Sequence, residues 1–389
     1  MSVALCNLKE LMEYKLSTEI SEFDLHGIVG IHLLNATPND VAAVKRQLGP
    51  IQKALSKTPD IVIRFVDRLS FSSPVHFLGL DDAGFTDDAF FVFRGKHQAR
   101  VRVQIPFHQI GNGQCEIVCE SGVPAVPFLI PILNLTAISK GALPLHASAF
   151  NYNGKGILTT GWSKGGKTET LLAFAANGAE YIGDEWVYIS SDGQHMYGIP
   201  EPIRVWHWHL QQMSYYRSMI GKSDLARLWV LNIFVKSLEL MESSAIGQRS
   251  GLLKLTRRIK VLLKQQMHVD LPPEKLFGKM VGAIKGSPDK VFFVASRDEP
   301  HVTVEPIQSQ EIVKRMVFSL QEERMTFMSY YLRFRFAFPD LSNPLIDQAE
   351  EIQRQILTKV MADKETYAVY HPYPFSIPEL FEMIRPYCA

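Results

Sequence analysis

The spacing of apolar positions changes several times along the chain, and each change marks an element. Asp60-Ile-Val-Ile-Arg-Phe65, Phe90-Phe-Val-Phe93 and the alternating Arg100-Val-Arg-Val-Gln-Ile105 predict strands of a half-buried sheet, with a helix around Pro38 to Ser56 ahead of them. A second set is more continuously apolar: Leu143-Pro-Leu-His-Ala-Ser-Ala-Phe150, Lys155-Gly-Ile-Leu-Thr-Thr160, Ala179 to Ile189, and Val291-Phe-Phe-Val-Ala295. Such runs suit strands covered on both faces. Between them, Thr168 to Asn177 puts Leu171, Leu172 and Ala175 on one side of a helix that Asn177-Gly178 stops. Ala245 to Phe277 has another texture, with Lys254, Arg257, Arg258, Lys260 and Lys264 set among Leu252, Leu253, Leu255, Ile259, Leu262 and Leu263. It predicts a basic amphipathic helix ended by Pro272-Pro273, either packed by one face or serving as a lid or a dock for an acidic partner or membrane surface. Past Pro344, the positions Ile346, Ala349, Ile352, Ile356 and Val360 form one face of a helix. The expectation is an α/β protein in three stretches: an N-terminal α/β module over 1–125, a core over 126–305 from which 245–277 departs, and a mainly helical extension over 306–389.

Composition narrows the class. At 389 residues and 46% apolar, the chain has material for two to three domains or subdomains, and a net charge of +1 gives no whole-molecule argument for nucleic acid or membrane. Its four cysteines are too few for a disulfide framework, so reduced thiols are expected. The start, Met1-Ser-Val-Ala-Leu-Cys-Asn-Leu-Lys-Glu10, lacks the pattern of a secretory signal, and the most apolar segment, Val123 to Ile138, holds three prolines and falls short of a membrane span. A cytoplasmic enzyme without a transmembrane segment is the expectation.

The chemistry centres on Gly161-Trp-Ser-Lys-Gly-Gly-Lys-Thr168, which fits the phosphate-binding loop G-x-x-x-x-G-K-[ST] at every position. Glycines let successive backbone N–H groups turn toward a phosphate, the lysine reaches the outer phosphates, and the hydroxyl is placed for Mg²⁺. Gly161, Ser163, Lys164, Gly165, Gly166, Lys167, Thr168 and Glu169 are therefore the expected ATP contacts. The loop sits between a predicted strand and a predicted helix, as the motif requires, and the helix start adds partial positive charge.

Seventeen residues after Lys167 come Asp184 and Glu185, in a Gly-Asp-Glu turn between apolar strands. Adjacent carboxylates repel, and a divalent cation removes that cost. In a nucleotide enzyme one can hold Mg²⁺ while the other accepts a proton. Upstream, His146 stands alone in an apolar strand, where a histidine is most often a hydrogen-bonded core residue. Tyr331-Leu-Arg-Phe-Arg-Phe336 and His371-Pro-Tyr-Pro374 are read as packing. His207 and His209 in Trp206-His-Trp-His209 could reach one metal, but no third ligand is apparent and packing is the favoured reading there too.

Together His146, the run Lys167-Thr-Glu-Thr170 and Asp184-Glu185 resemble the catalytic core of the bacterial HPr kinase/phosphorylase family, with His146 21 residues before the loop lysine as in that family. Gly166-Lys-Thr and Gly183-Asp-Glu are similar in the same way to segments of the related phosphoenolpyruvate carboxykinase fold. The resemblance covers about residues 130–205. It implies a P-loop kinase core with a central mixed sheet, ATP and Mg²⁺ as cofactors, and transfer to a hydroxyl of a protein, peptide or small molecule. It further implies Asp184 as general base, Lys167 and Thr168 on nucleotide and metal, Glu185 as metal ligand and His146 beside the transferring phosphoryl group. The chain departs from the family's two aspartates at Asp184-Glu185. It also has Ile199-Pro-Glu-Pro-Ile-Arg-Val205 where a Glu-Ile-Arg-Gly stretch is usual, making Glu201 a further metal-side carboxylate and Arg204 a phosphate contact. Homo-oligomerisation stays open, and the alternative reading is an ATP-gated switch with no phosphoryl acceptor.

Overall fold

The computed structural model describes residues 21–95, 100–243 and 253–389, so the sequence readings of the first ten residues and of 245–252 lie outside the described residues. The chain forms two compact units, Met1–Pro144 with Leu320–Lys359, and Leu145–Ser319 with Val360–Ala389.

The first unit carries β1 (Glu22–Leu25), β2 (Val29–Leu34), α1 (Pro38–Leu48), β3 (Ile61–Val66), β4 (His76–Leu78), β5 (Ala83–Phe85), β6 (Phe90–Arg94), β7 (Arg100–Gln104), β8 (Cys115–Glu120) and α2 (Leu129–Ser139). Its sheet runs β1-β2-β3-β8-β7-β6-β5-β4, parallel where β3 meets β2 and β8 and antiparallel elsewhere. Helix α1 starts at a capping box between Thr37 and Asp40 and ends well before Ser56, because Gly49 takes φ +68° and Pro50 follows. Cys115 and Cys119 are free thiols inside β8, and burial pushes both up to about 12.

In the second unit β9 (Leu143–Tyr152), β10 (Lys155–Gly161), α3 (Lys167–Ala175), β11 (Glu180–Gly183) and β12 (Trp186–Ile189) follow the sequence reading closely. Next come β13 (Met196–Gly198), β14 (Ile203–Trp206), α4 (His207–Gln212), α5 (Ser214–Arg217), α6 (Lys222–Ser243), α7 (Leu253–Gln265), β15 (His268–Leu271) and α8 (Pro273–Phe277). The second unit continues through β16 (Lys285–Gly286), β17 (Lys290–Ser296), β18 (Thr303–Pro306) and the start of α9 (Ser309–Ala337); the rest of α9, with α10 (Pro344–Asp347) and nearly all of α11 (Ala349–Met361), belongs to the first unit, and β19 (Glu365–His371) and α12 (Ile377–Ile384) return to the second. The sheet order is β16-β13-β12-β9-β10-β17-β19-β18, with β11 added beside β9. Strands β10, β17 and β19 are mutually parallel, and β9 runs antiparallel to β10.

Leu171, Leu172 and Phe174 of α3 pack with Phe150, Phe292, Val294, Val369 and Phe381 in one buried cluster. Each such side chain contributes about 1.5–3 kcal/mol when fully buried. That packing fixes α3 across β9, β10 and β17, and so fixes the loop at its start.

Residues 306–389 are mainly helical and also hold β19, which lies between β17 and β18 within the second sheet. One local expectation changes. The basic helix ends at Gln265, β15 pairs antiparallel with β14, and Pro273 opens α8, a position where proline's missing N–H costs nothing. Among the described residues no helix is long and apolar enough to cross a membrane.

Candidate functional site

The loop leaves β10 at Gly161 and enters α3 at Lys167. Close approach accounts for its glycines: a Cβ on Gly165 would lie 2.9 Å from the Trp162 carbonyl oxygen, and one on Gly166, at φ +106°, would lie 2.9 Å from His371 Nε2. Lys164 adopts φ +62° at the exposed outer tip, Ser163 is half-buried beside it, and Trp162 is exposed. Lys167 is buried, and its Nζ donates to the carbonyl oxygens of Trp162 at 2.9 Å and Gly161 at 3.4 Å. The ammonium is thus folded over the loop it starts from. Ser148 of β9 donates to the Lys167 carbonyl at 2.8 Å, tying the first turn of α3 to the sheet. Among the described residues no side chain caps that helix start.

The acidic turn joins β11 to β12. Glu185 takes φ +63°, a left-handed conformation uncommon outside glycine, and its carbonyl accepts from Ala147 N–H at 3.1 Å. Asp184 is 4% exposed, and the Thr168 hydroxyl lies 3.0 and 3.2 Å from its two oxygens. Burial first, and then the neighbouring Glu185 charge, push the Asp184 carboxyl from 3.8 to about 7. Glu185 moves the other way, held below its usual range chiefly by its hydrogen bond to His146. The His146 Nε2 to Glu185 Oε2 distance is 3.0 Å, and the imidazole is buried with Trp186 stacked at 5.8 Å.

Glu201 completes the acidic group. Its Oε1 is enclosed and has no hydrogen-bond partner among the described residues. Burial, then Glu185 and Asp184, push its carboxyl well above the usual range. The Glu185 charge thus adds to the cost of ionising both Asp184 and Glu201, and one buried oxygen of Glu201 lacks a donor among the described residues. Hard oxygen donors beside the Thr168 hydroxyl match what Mg²⁺ takes, usually with only one or two protein carboxylates. Among the described residues no group of three or more His, Cys, Asp or Glu side chains is placed so that it could hold a metal ion. Arg204 pairs with Asp270 at 3.2 Å while acting on Glu185 by charge, and no contact reserves it for a phosphate.

Two histidines read as packing bear directly on the loop. His209 is fully buried, accepts at Nδ1 from Trp206 N–H at 3.2 Å, and so carries its proton on Nε2, which donates to Glu169 Oε1 at 3.1 Å. Both its nitrogens are used, which removes it from a shared metal site with His207. His371, at the end of β19, sets Nε2 2.8 Å from the Gly165 carbonyl oxygen. Neither contact has a local sequence signal, because the partners lie 40 and 206 residues apart.

No family model matches the chain, and comparison with curated proteins returns no match.

Proposed function

We propose that this chain is an ATP-dependent phosphotransferase of the HPr kinase-like type, moving the γ-phosphoryl group to a hydroxyl of a protein, peptide or small-molecule acceptor. The observation that carries the reading is the Thr168–Asp184 contact at the head of a glycine loop whose lysine is folded inward. A bare glycine turn has no need of a buried carboxylate against its last hydroxyl.

In this reading Lys167 and the loop amides hold the phosphates, and catalysis is positioning and charge stabilisation. Asp184, with its carboxyl at about 7, is half ionised near neutrality, the condition under which a base both exists and accepts a proton readily. The acceptor oxygen bonds to the γ-phosphorus, the bond from that phosphorus to the bridging oxygen breaks, ADP departs, and the hydroxyl proton passes to Asp184. Thr168, Glu185 and Glu201 would hold Mg²⁺, which would offset charge on the phosphate oxygens. His146 orients Glu185 and keeps it ionised.

Titration of ATP into wild type and Lys167→Ala, with and without Mg²⁺, tests the nucleotide half of the proposal. Binding that depends on Lys167 is expected; no binding by the wild type, or equal binding by both, overturns it.

A further inference from the structure

Away from this site, the helices α6 and α7 form a hairpin with an unusual surface. One stripe of α6 is inward, with Leu228 and Val235 buried, yet Trp229, Val230, Ile233 and Phe234 are 63%, 42%, 43% and 58% exposed. At 100° per residue these four form two adjoining ridges along the back of the helix, 229/233 and 230/234. On α7, Ile259 and Leu262 are 40% and 62% exposed, and Arg257 and Arg258 stand exposed on another side. Ion pairs of Lys260 with Glu242 and Lys264 with Glu239 hold the two helices together, and Arg227 donates to the carbonyls of Gln266 and His268 at the hairpin's base.

Charge distinguishes this region from the rest of the chain. Residues 222–265 hold nine Lys and Arg against three Asp and Glu, a net of +6, whereas the whole chain is +1, so the remainder is −5. We propose that the α6–α7 hairpin docks on an anionic lipid bilayer. Large aromatic and aliphatic side chains along a helix back, with cations beside them, are what an interfacial helix presents to headgroups and acyl chains. Lys236 follows Ile233 along the first ridge, and its stem can lie on the apolar face while its ammonium reaches lipid phosphate. A second copy of the chain suits the surface less well, because two hairpins of +6 would meet with like charge. The face is a convex helix back, which a deformable bilayer accommodates without a matching groove.

Vesicle flotation of the full chain tests this, using phosphatidylcholine vesicles with and without phosphatidylglycerol. Wild type is expected to float only with the anionic vesicles and to be released by salt, while Arg257→Glu with Arg258→Glu weakens partitioning by at least about tenfold. Trp229→Ser with Phe234→Ser is expected to abolish flotation. Both pairs change exposed side chains, and unchanged melting temperatures show that the fold survives. Failure of wild type to float, binding indifferent to both pairs, or a solution dimer that Phe234→Ser dissociates would each overturn the proposal, the last by assigning the face to a second copy.

Discussion

The hydroxyl of Thr168, the last residue of the glycine loop, lies 3.0 Å from Asp184 Oδ2 and 3.2 Å from Oδ1, joining the loop to the acidic turn across 16 residues of sequence. One hydroxyl proton faces two carboxylate oxygens, so the contact keeps Asp184 close to the start of α3.

Thr168→Val keeps the side-chain shape and removes the donor. A hydrogen bond to a charged group contributes about 1.5–3 kcal/mol, so ATP affinity in Mg²⁺ is expected to fall roughly tenfold to a hundredfold. Thr168→Ser should restore most of it. Calorimetric titration checks both, and a valine variant binding like wild type would remove Thr168 from the site.

Asp184 gives a pH signature. Its carboxyl is raised from 3.8 to about 7 in the fold, so the folded protein holds a proton that the unfolded chain has lost. The stability this contributes is complete below about pH 4, is lost as pH rises toward about 7, and changes no further above that. The melting temperature of Asp184→Asn minus that of wild type should therefore widen across that window and then level off. A difference that is flat with pH would contradict the burial account. In transfer assays the same variant is expected to bind ATP and lose turnover.

His371 supports the loop from beneath. Its Nε2 faces the Gly165 carbonyl oxygen at 2.8 Å and its Nδ1 the Pro372 carbonyl oxygen at 2.9 Å; a carbonyl oxygen only accepts, so the tautomer with its proton on Nε2 is the one that donates to the loop. His371→Leu leaves the Gly165 carbonyl buried without that donor, at a cost of about 1–3 kcal/mol, and should lower both melting temperature and ATP affinity. His371→Gln, which retains a donor, should lose less; identical losses in the two variants would point to packing alone.

The His209–Glu169 pair acts on the first turn of α3. His209→Phe removes the donor from Glu169 while filling the space, and denaturant unfolding should show a loss of about 1–3 kcal/mol. Glu169→Gln in the same background should recover part of it, because the carboxylate left without its donor is then gone. No recovery would show that the pair contributes nothing as a pair.

The loop, its strand and its helix were legible because their determinants are local: glycines, a β-branched run ahead and a Gly178 stop behind. The acidic turn was legible for the same reason. His209 and His371 were not, since their meaning lies in partners that only the tertiary fold brings near. Strand β19 escaped notice as a short apolar run among helices, although Val294 and Val369 pair within the sheet. Pro272-Pro273, expected to end the basic helix, instead follows β15 and opens α8.

Transfer of label from γ-labelled ATP with Mg²⁺, using wild type, Lys167→Ala and Asp184→Asn in a cell extract, bears most directly on the proposed activity. Label on a protein, peptide or metabolite that vanishes with either substitution is the expected result. Label that stays on ATP, or appears only as free phosphate with wild type, would contradict the phosphotransferase reading.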